Sequence, residues 1–239
     1  MAGHYEQQLT QMLTPVARAL GPDLLPTVAF VGGSTTGILI TDAFSRESVR
    51  YTDDVDLIVG VKGKGQWAQL LGLLRERGFR ESMEDEVICR MHLNTGEQDL
   101  VVDVMPDDET ILGFSNRWYR DALRTAVPYA LTDELQIRVL VPAYFVATKL
   151  EAWLGRGNND PMNSHDVEDL INIIDGREEL IEEIAEVDEV LRTYIADQIT
   201  ALLQHGDFQY AVQGNVRDTD RADIIFERMQ QLAALAERT

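Results

Sequence analysis

Cysteine is nearly absent from this chain, histidine is scarce, and no long apolar run occurs. The lone thiol, Cys89, excludes an internal disulfide and any cysteine-based metal cluster. It lies among Val87, Ile88 and Met91, so it reads as a buried structural thiol rather than a nucleophile. The four histidines, His4, His92, His165 and His205, are scattered and match no zinc-ligand spacing. No apolar stretch approaches the roughly 20 residues that span a bilayer. The opening Met1-Ala-Gly-His-Tyr-Glu-Gln-Gln lacks the basic-then-apolar pattern of an export signal. The expectation is a cytoplasmic protein with no membrane partner. Walker A, G-x-S-x-G and G-x-G-x-x-G motifs are missing, as are internal repeats and low-complexity segments.

Positive charge is scarce as well. Lys and Arg number 21 against 41 Asp and Glu, a net charge of −20 over 239 residues. A protein that grips a long nucleic acid usually carries a basic patch. None is visible as a sequence cluster, although folding could gather Arg46, Arg50, Lys62 and Lys64. The acidic excess is heavier after residue 125 and reads as a solvated surface. The 45% hydrophobic and 26% charged contents are those of an ordinary globular protein, long enough for one large domain or two modest ones.

What is present reads first as mixed α/β and then as helix. Leu9, Met12, Leu13, Val16 and Leu20 share one face of a helix over about 5–20, ended by Gly21-Pro22-Asp23. Val28–Val31 predicts a buried strand broken by Gly32-Gly33, with a helix over 34–39 beyond it. A second strand follows at Val55–Val61, and an amphipathic helix at Gln66–Arg77 stops at Gly78. Val87–Leu93 and Leu100–Met105 predict a hairpin about Asn94-Thr95-Gly96. Residues 106–126 are mixed, and 129–141 offer further short strands. Pro142 suits the first position of a helix to about Leu154. Helices are then expected at about 165–174, 178–204 and 219–237. The expected division is a core over 1–135 and a mostly helical C-terminal domain over 136–239 that contributes Lys149 to the site. Residues 176–239 are given no functional role.

The chemistry concentrates in a few places. Gly32-Gly33-Ser34 after a hydrophobic strand exposes backbone N–H groups and a hydroxyl where phosphates can approach. Some twenty residues on, Asp54 and Asp56 are separated by one residue and so point to the same face of a strand. Asp53 is sent to the other side and reads as structural. Asp103, inside the apolar run Leu100–Met105, is the third carboxylate. Burying an aspartate there is costly unless a metal or hydrogen bonds compensate; the alternative is a strand-end residue facing solvent. Three such carboxylates fit two-metal nucleotidyl transfer, with Asp54, Asp56 and Asp103 as Mg²⁺ ligands and Asp103 as ligand or general base. Lys149 lies in an apolar helical stretch, where it either snorkels to solvent or reaches a nucleotide phosphate. Glu151 is on a different helix face, so no simple pair neutralises it. Ser164 or Asn163 caps the next helix. There, Asp166 or Asp169 either completes the cap region or steers Lys149 and contacts the nucleotide.

These residues resemble the DNA polymerase β-type nucleotidyltransferase superfamily, and within it the AbiEii/MenT-type group of bacterial toxins. The motifs are the Gly-Gly-Ser turn and the segment Arg50-Tyr51-Thr52-Asp53-Asp54-Val55-Asp56. They continue with the Lys149 helix, Gly155-Arg156-Gly157 and Asp166-Val167-Glu168-Asp169-Leu170. The resemblance covers roughly residues 28–175. It implies an α+β fold, a polymerase β-like core of mixed sheet flanked by helices, with a mostly α-helical C-terminal region. It also implies an NTP donor, Mg²⁺ as a two-ion cofactor, and transfer of a nucleoside monophosphate. The catalytic set is then Asp54, Asp56, Asp103 and Lys149, and the nucleotide-binding set Gly32, Gly33, Ser34, Lys149, Asp166 and Asp169. In the toxin members the acceptor can be the tRNA 3′ end, and a cognate antitoxin is a partner. Relatives acting on aminoglycoside-type antibiotics use the same core, and an acidic surface suits a cationic drug. A non-catalytic nucleotide-binding or partner-binding module of the same fold is the remaining alternative. Retention of all three aspartates argues against it.

Overall fold

A computed structural model describes residues 4–216 and 219–237, with side chains described over 9–216 and 220–236. The chain divides into two compact units. One comprises the residues up to Thr35 together with Arg50–Val141, and the other comprises Thr36–Val49 together with Pro142 onward.

The first unit is built on one seven-stranded sheet. Its strands are β1 (Val28–Val31), β2 (Asp54–Val59), β3 (Phe79–Arg80), β4 (Arg90–Asn94), β5 (Asp99–Pro106), β6 (Val127–Thr132) and β7 (Leu135–Val139). Their spatial order is β3-β4-β5-β2-β1-β7-β6. The sheet is mixed: β2 runs parallel to β5 and β1 parallel to β7, while the other neighbours are antiparallel. All four residues of β1 are buried, as are Val55, Leu57, Ile58, Val102 and Val104. Such near-continuous apolar runs mark strands covered on both faces, and the aspartates of β2 and β5 interrupt them.

The helix His4–Leu24 buries Leu9, Met12, Leu13, Val16 and Leu20, the stripe its periodicity predicts. It breaks at Gly21, whose φ of 66° lies in the left-handed region. A second helix runs Gly63–Glu76. Two short helices, Glu109–Leu112 and Tyr119–Thr125, occupy the mixed stretch 106–126. Asp108 caps the first by accepting from the Thr110 N–H, and Gly113 ends it. β4 begins at Arg90 rather than Val87, because Val87 and Ile88 are exposed and only Cys89 turns inward.

The second unit is helical. Short helices Thr36–Leu39 and Ala43–Arg46 accompany Pro142–Arg156, His165–Gly176, Leu180–Ala185, Glu189–Gln204, Phe208–Asn215 and Thr219–Ala233. Pro142 opens its helix, where the missing N–H has no intrahelical partner to lose. Ser164 accepts from the Val167 N–H and caps the next. The stretch 178–204, expected as one helix, is two. Asp188 adopts extended backbone (φ −57°, ψ 153°), and its carboxylate accepts from the Leu191 N–H at 3.1 Å to start the second. Phe145, Leu150, Val167, Ile173, Ile195 and Phe208 form part of the apolar interior. Thus the fold class is α+β, a mixed sheet flanked by helices with a mostly α-helical C-terminal region, as the sequence predicts. Among the described residues no helix is long and apolar enough to cross a membrane.

Candidate active site

Register assembles the acidic cluster in the first unit. The parallel pairing of β2 with β5 sets Asp56 directly beside Asp103 and Asp54 beside Val101. Asp54 and Asp56, two residues apart, share one face. Oxygens from Asp54, Asp56 and Asp103 all lie within 4.8 Å of one another. Asp103 is buried, Asp54 and Asp56 are half-buried, and Asp53 is exposed just before the strand. At such separations each carboxylate pair repels by about 3 kcal/mol at an effective dielectric of about 20. A set of carboxylates without nitrogen or sulfur donors suits a hard divalent cation.

Gly32 makes room for this cluster. The antiparallel register places Val31 opposite Asp56, and the chain turns at Gly32 with φ +72°. A Cβ on Gly32 would lie 1.7 Å from Asp56 Oδ2 and 2.6 Å from its Cγ. The Asp56 carboxylate therefore occupies the space of a side chain that position 32 lacks. Beyond it, Gly33–Thr35 form a helical turn. Thr35 donates to the Gly32 carbonyl through its N–H (3.1 Å) and hydroxyl (3.0 Å), and the buried Ser34 hydroxyl donates to the Val31 carbonyl at 3.3 Å. The Thr52 hydroxyl donates to Asp54 Oδ1. A cavity beside the turn is lined by Leu9, Met12 and Leu13 together with Ser34, Arg50 and Tyr51.

Arg90 belongs to none of the sequence motifs, yet it joins the cluster. The β4–β5 hairpin pairs Arg90 with Asp103. The guanidinium grips both carboxylate oxygens, Nε to Oδ1 and Nη2 to Oδ2, each at 2.9 Å. This fork raises the Arg90 pKa further, with the Asp54 and Asp85 charges adding to it. The signal was latent in the hairpin: once Leu93 opposes Leu100, counting outward brings Arg90 opposite Asp103. Next to it, burial pushes the Cys89 thiol up to about 11, assisted by the Asp103 and Asp56 charges. Two residues beyond Arg90, His92 is held between Asp85 (Nε2, 2.9 Å) and Asp99 (Nδ1, 3.0 Å). The Asp85 hydrogen bond leads in raising its pKa above 6.5.

Lys149, Asp166 and Asp169 meet inside the second unit. Lys149 Nζ lies 3.2 Å from Asp166 Oδ1 and 2.6 Å from Asp169 Oδ2. Its partners thus come from the following helix, where no residue of its own helix qualified. Arg156 clasps Asp166 through Nε (2.8 Å) and Nη2 (2.9 Å), and the Thr36 hydroxyl donates to Asp169 at 3.0 Å. Lys149, Asp166 and Asp169 are all buried. Burial opposes ionisation of Asp166, but the Arg156 hydrogen bonds and the Lys149 charge hold its carboxyl below the ordinary value.

No protein-family model matches the chain, and no curated protein matches it. Among solved structures the chain is similar to JHP933 from Helicobacter pylori, with a TM-score of 0.51 and 10% identity over 100% of this chain and 94% of that one. A second H. pylori chain, provisionally designated a nucleotidyltransferase, gives a TM-score of 0.49 and 12% identity over 99% of this chain and 98% of that one. What this chain shares with JHP933 at such identity is the fold; its chemistry has to be read from its own residues.

Proposed function

We propose that this chain is a metal-dependent nucleotidyltransferase, moving a nucleoside monophosphate from an NTP to a hydroxyl-bearing acceptor. The observation that carries the reading is the convergence of Asp54, Asp56 and Asp103 within 4.8 Å, beside the Gly32-Gly33-Ser34 turn. In the reaction the acceptor oxygen bonds to the α-phosphorus, the bond from that phosphorus to the β-bridging oxygen breaks, and pyrophosphate leaves. Bound Mg²⁺ would supply charge neutralisation at the phosphates and lower the pKa of the attacking hydroxyl.

Asp54 and Asp56 are the residues that would hold the cation, with Thr52 fixing Asp54 and the bare Gly32 admitting Asp56. Asp103 completes the ligand set or takes the acceptor proton. The backbone N–H groups of Gly33 and Ser34 are assigned to the triphosphate. Lys149 enters the same proposal as a phosphate-neutralising cation, with Asp166 and Asp169 orienting its ammonium.

The acceptor divides the reading. A tRNA 3′ end and a cognate antitoxin follow from the AbiEii/MenT resemblance alone. The net charge of −20 favours the second reading, a cationic small molecule of aminoglycoside type. The test is incubation with each labelled NTP and Mg²⁺ against total tRNA and an aminoglycoside panel. Incorporation is expected with the wild type and none with Asp54→Ala or Asp56→Ala, both folded. Incorporation that persists in those variants overturns the mechanism. Calorimetric NTP binding without any turnover would instead support a non-catalytic nucleotide-binding module.

A further inference from the structure

Before any cation arrives, Asp103 already has a positive partner in Arg90. Arg90 donates to both oxygens of Asp103 at 2.9 Å and to that carboxylate alone of the three. Arg90 therefore offsets one unit of negative charge, and it does so at Asp103. The pair is well built: Asp103's side chain is 12% exposed, Arg90's is 27%, and the register of β4 on β5 places them opposite one another. A bidentate fork in that position fixes the carboxylate plane, so Arg90 decides which lone pairs of Asp103 face Asp54 and Asp56.

We propose that Arg90 is a positioning residue that competes with divalent cations for Asp103. A cation binding without nucleotide engages Asp103 only against Arg90. This rests on reading the three aspartates as a cation site. It resembles the way outer partners of metal ligands tune affinity, but here the partner is itself a cation and lowers affinity rather than raising it.

The experiment is titration of the nucleotide-free protein with Mn²⁺, with free Mn²⁺ followed by electron paramagnetic resonance. Removing the competing charge in Arg90→Gln should tighten Mn²⁺ binding about tenfold or more. The gain should vanish in Arg90→Gln/Asp103→Asn, because it acts through Asp103. Arg90→Lys keeps the charge but loses the fork; it should bind Mn²⁺ as the wild type does while kcat falls at saturating metal. Unchanged or weaker binding in folded Arg90→Gln overturns the proposal.

Should Arg90→Gln fail to fold, the double variant Arg90→Gln/Asp103→Asn decides. It removes the competing charge together with the carboxylate it occupies, so Mn²⁺ binding should stay within about threefold of the wild type, whereas loss of a fully available ligand would cost about tenfold or more. The titration needs no turnover. A wild type that transfers no nucleotide would sink the nucleotidyltransferase reading alone. An active enzyme whose Arg90→Gln variant binds no tighter would sink the Arg90 role alone.

Discussion

Replacing Gly32 by alanine should damage the acidic cluster far more than it damages the fold. Two costs are separable. At φ +72° an alanine adopts a left-handed conformation, costing about 1–2 kcal/mol. The second is steric: a Cβ 1.7 Å from Asp56 Oδ2 obliges the carboxylate to withdraw by more than an ångström before the contact is tolerable. A chain of this size loses about 2–4 °C of Tm per kcal/mol, so the strain alone predicts a fall of about 2–8 °C. Displacing a reacting group by about 1 Å can cost a factor of about 10², which is the loss expected in nucleotide transfer. Gly96→Ala isolates the strain. Gly96 has φ +86° with nothing near its absent side chain, so that variant should lose comparable stability while keeping metal binding and transfer. Calorimetric melting, Mn²⁺ titration and a transfer assay on both variants complete the test. If Gly32→Ala binds Mn²⁺ and transfers nucleotide like the wild type, the inference that Asp56 depends on the bare glycine is refuted.

Lys149→Met should destabilise the chain by about 3–5 kcal/mol in urea denaturation, since it removes the ammonium that buried Asp166 and Asp169 share, with Asp166 keeping Arg156. Adding Asp169→Asn should return part of that loss, and a change below about 1 kcal/mol for the single variant would show that the network contributes little. His92 has a folded-state pKa raised above 6.5 by Asp85 and Asp99. Its ion pairs therefore stabilise fully below the unfolded value and fade as pH rises through the folded one; His92→Gln should flatten that part of the stability profile. NMR titration of the His92 ring with a pKa at or below 6.5 would contradict this. Cys89, buried and with its thiol pushed up to about 11, should react with a disulfide reagent at pH 8 more than about a hundredfold slower than in the urea-unfolded chain. Equal rates would mean the thiol is accessible.

The local features of this fold were legible because they obey short periodicities. Alternation along β2 is enough to send Asp54 and Asp56 to one face, and the helical stripe from Leu9 to Leu20 is visible at its 3.6-residue spacing. Pro142 and Ser164 announce helix starts through the chemistry of unpaired N–H groups. The partners of the charged residues were harder to read. Arg90 reaches Asp103 through strand register, and Lys149 reaches Asp166 and Asp169 through the packing of two successive helices, neither of which is a property of one segment. The break at Asp188 was missed because Leu180 to Ile199 keeps helical spacing across it, while a single carboxylate cap decides the boundary. Val87 and Ile88 misled for the opposite reason: apolar side chains suggested strand, but the chain leaves them exposed in a loop.

The most direct test of the central claim is mass spectrometry of the acceptor pool after incubation with NTP and Mg²⁺, with pyrophosphate measured in the same reaction. Under nucleotidyl transfer an acceptor gains the mass of one nucleoside monophosphate, with one pyrophosphate released per adduct, and Asp56→Asn gives neither. Transfer of the terminal phosphate instead, or an adduct that forms equally well in Asp56→Asn, would contradict it.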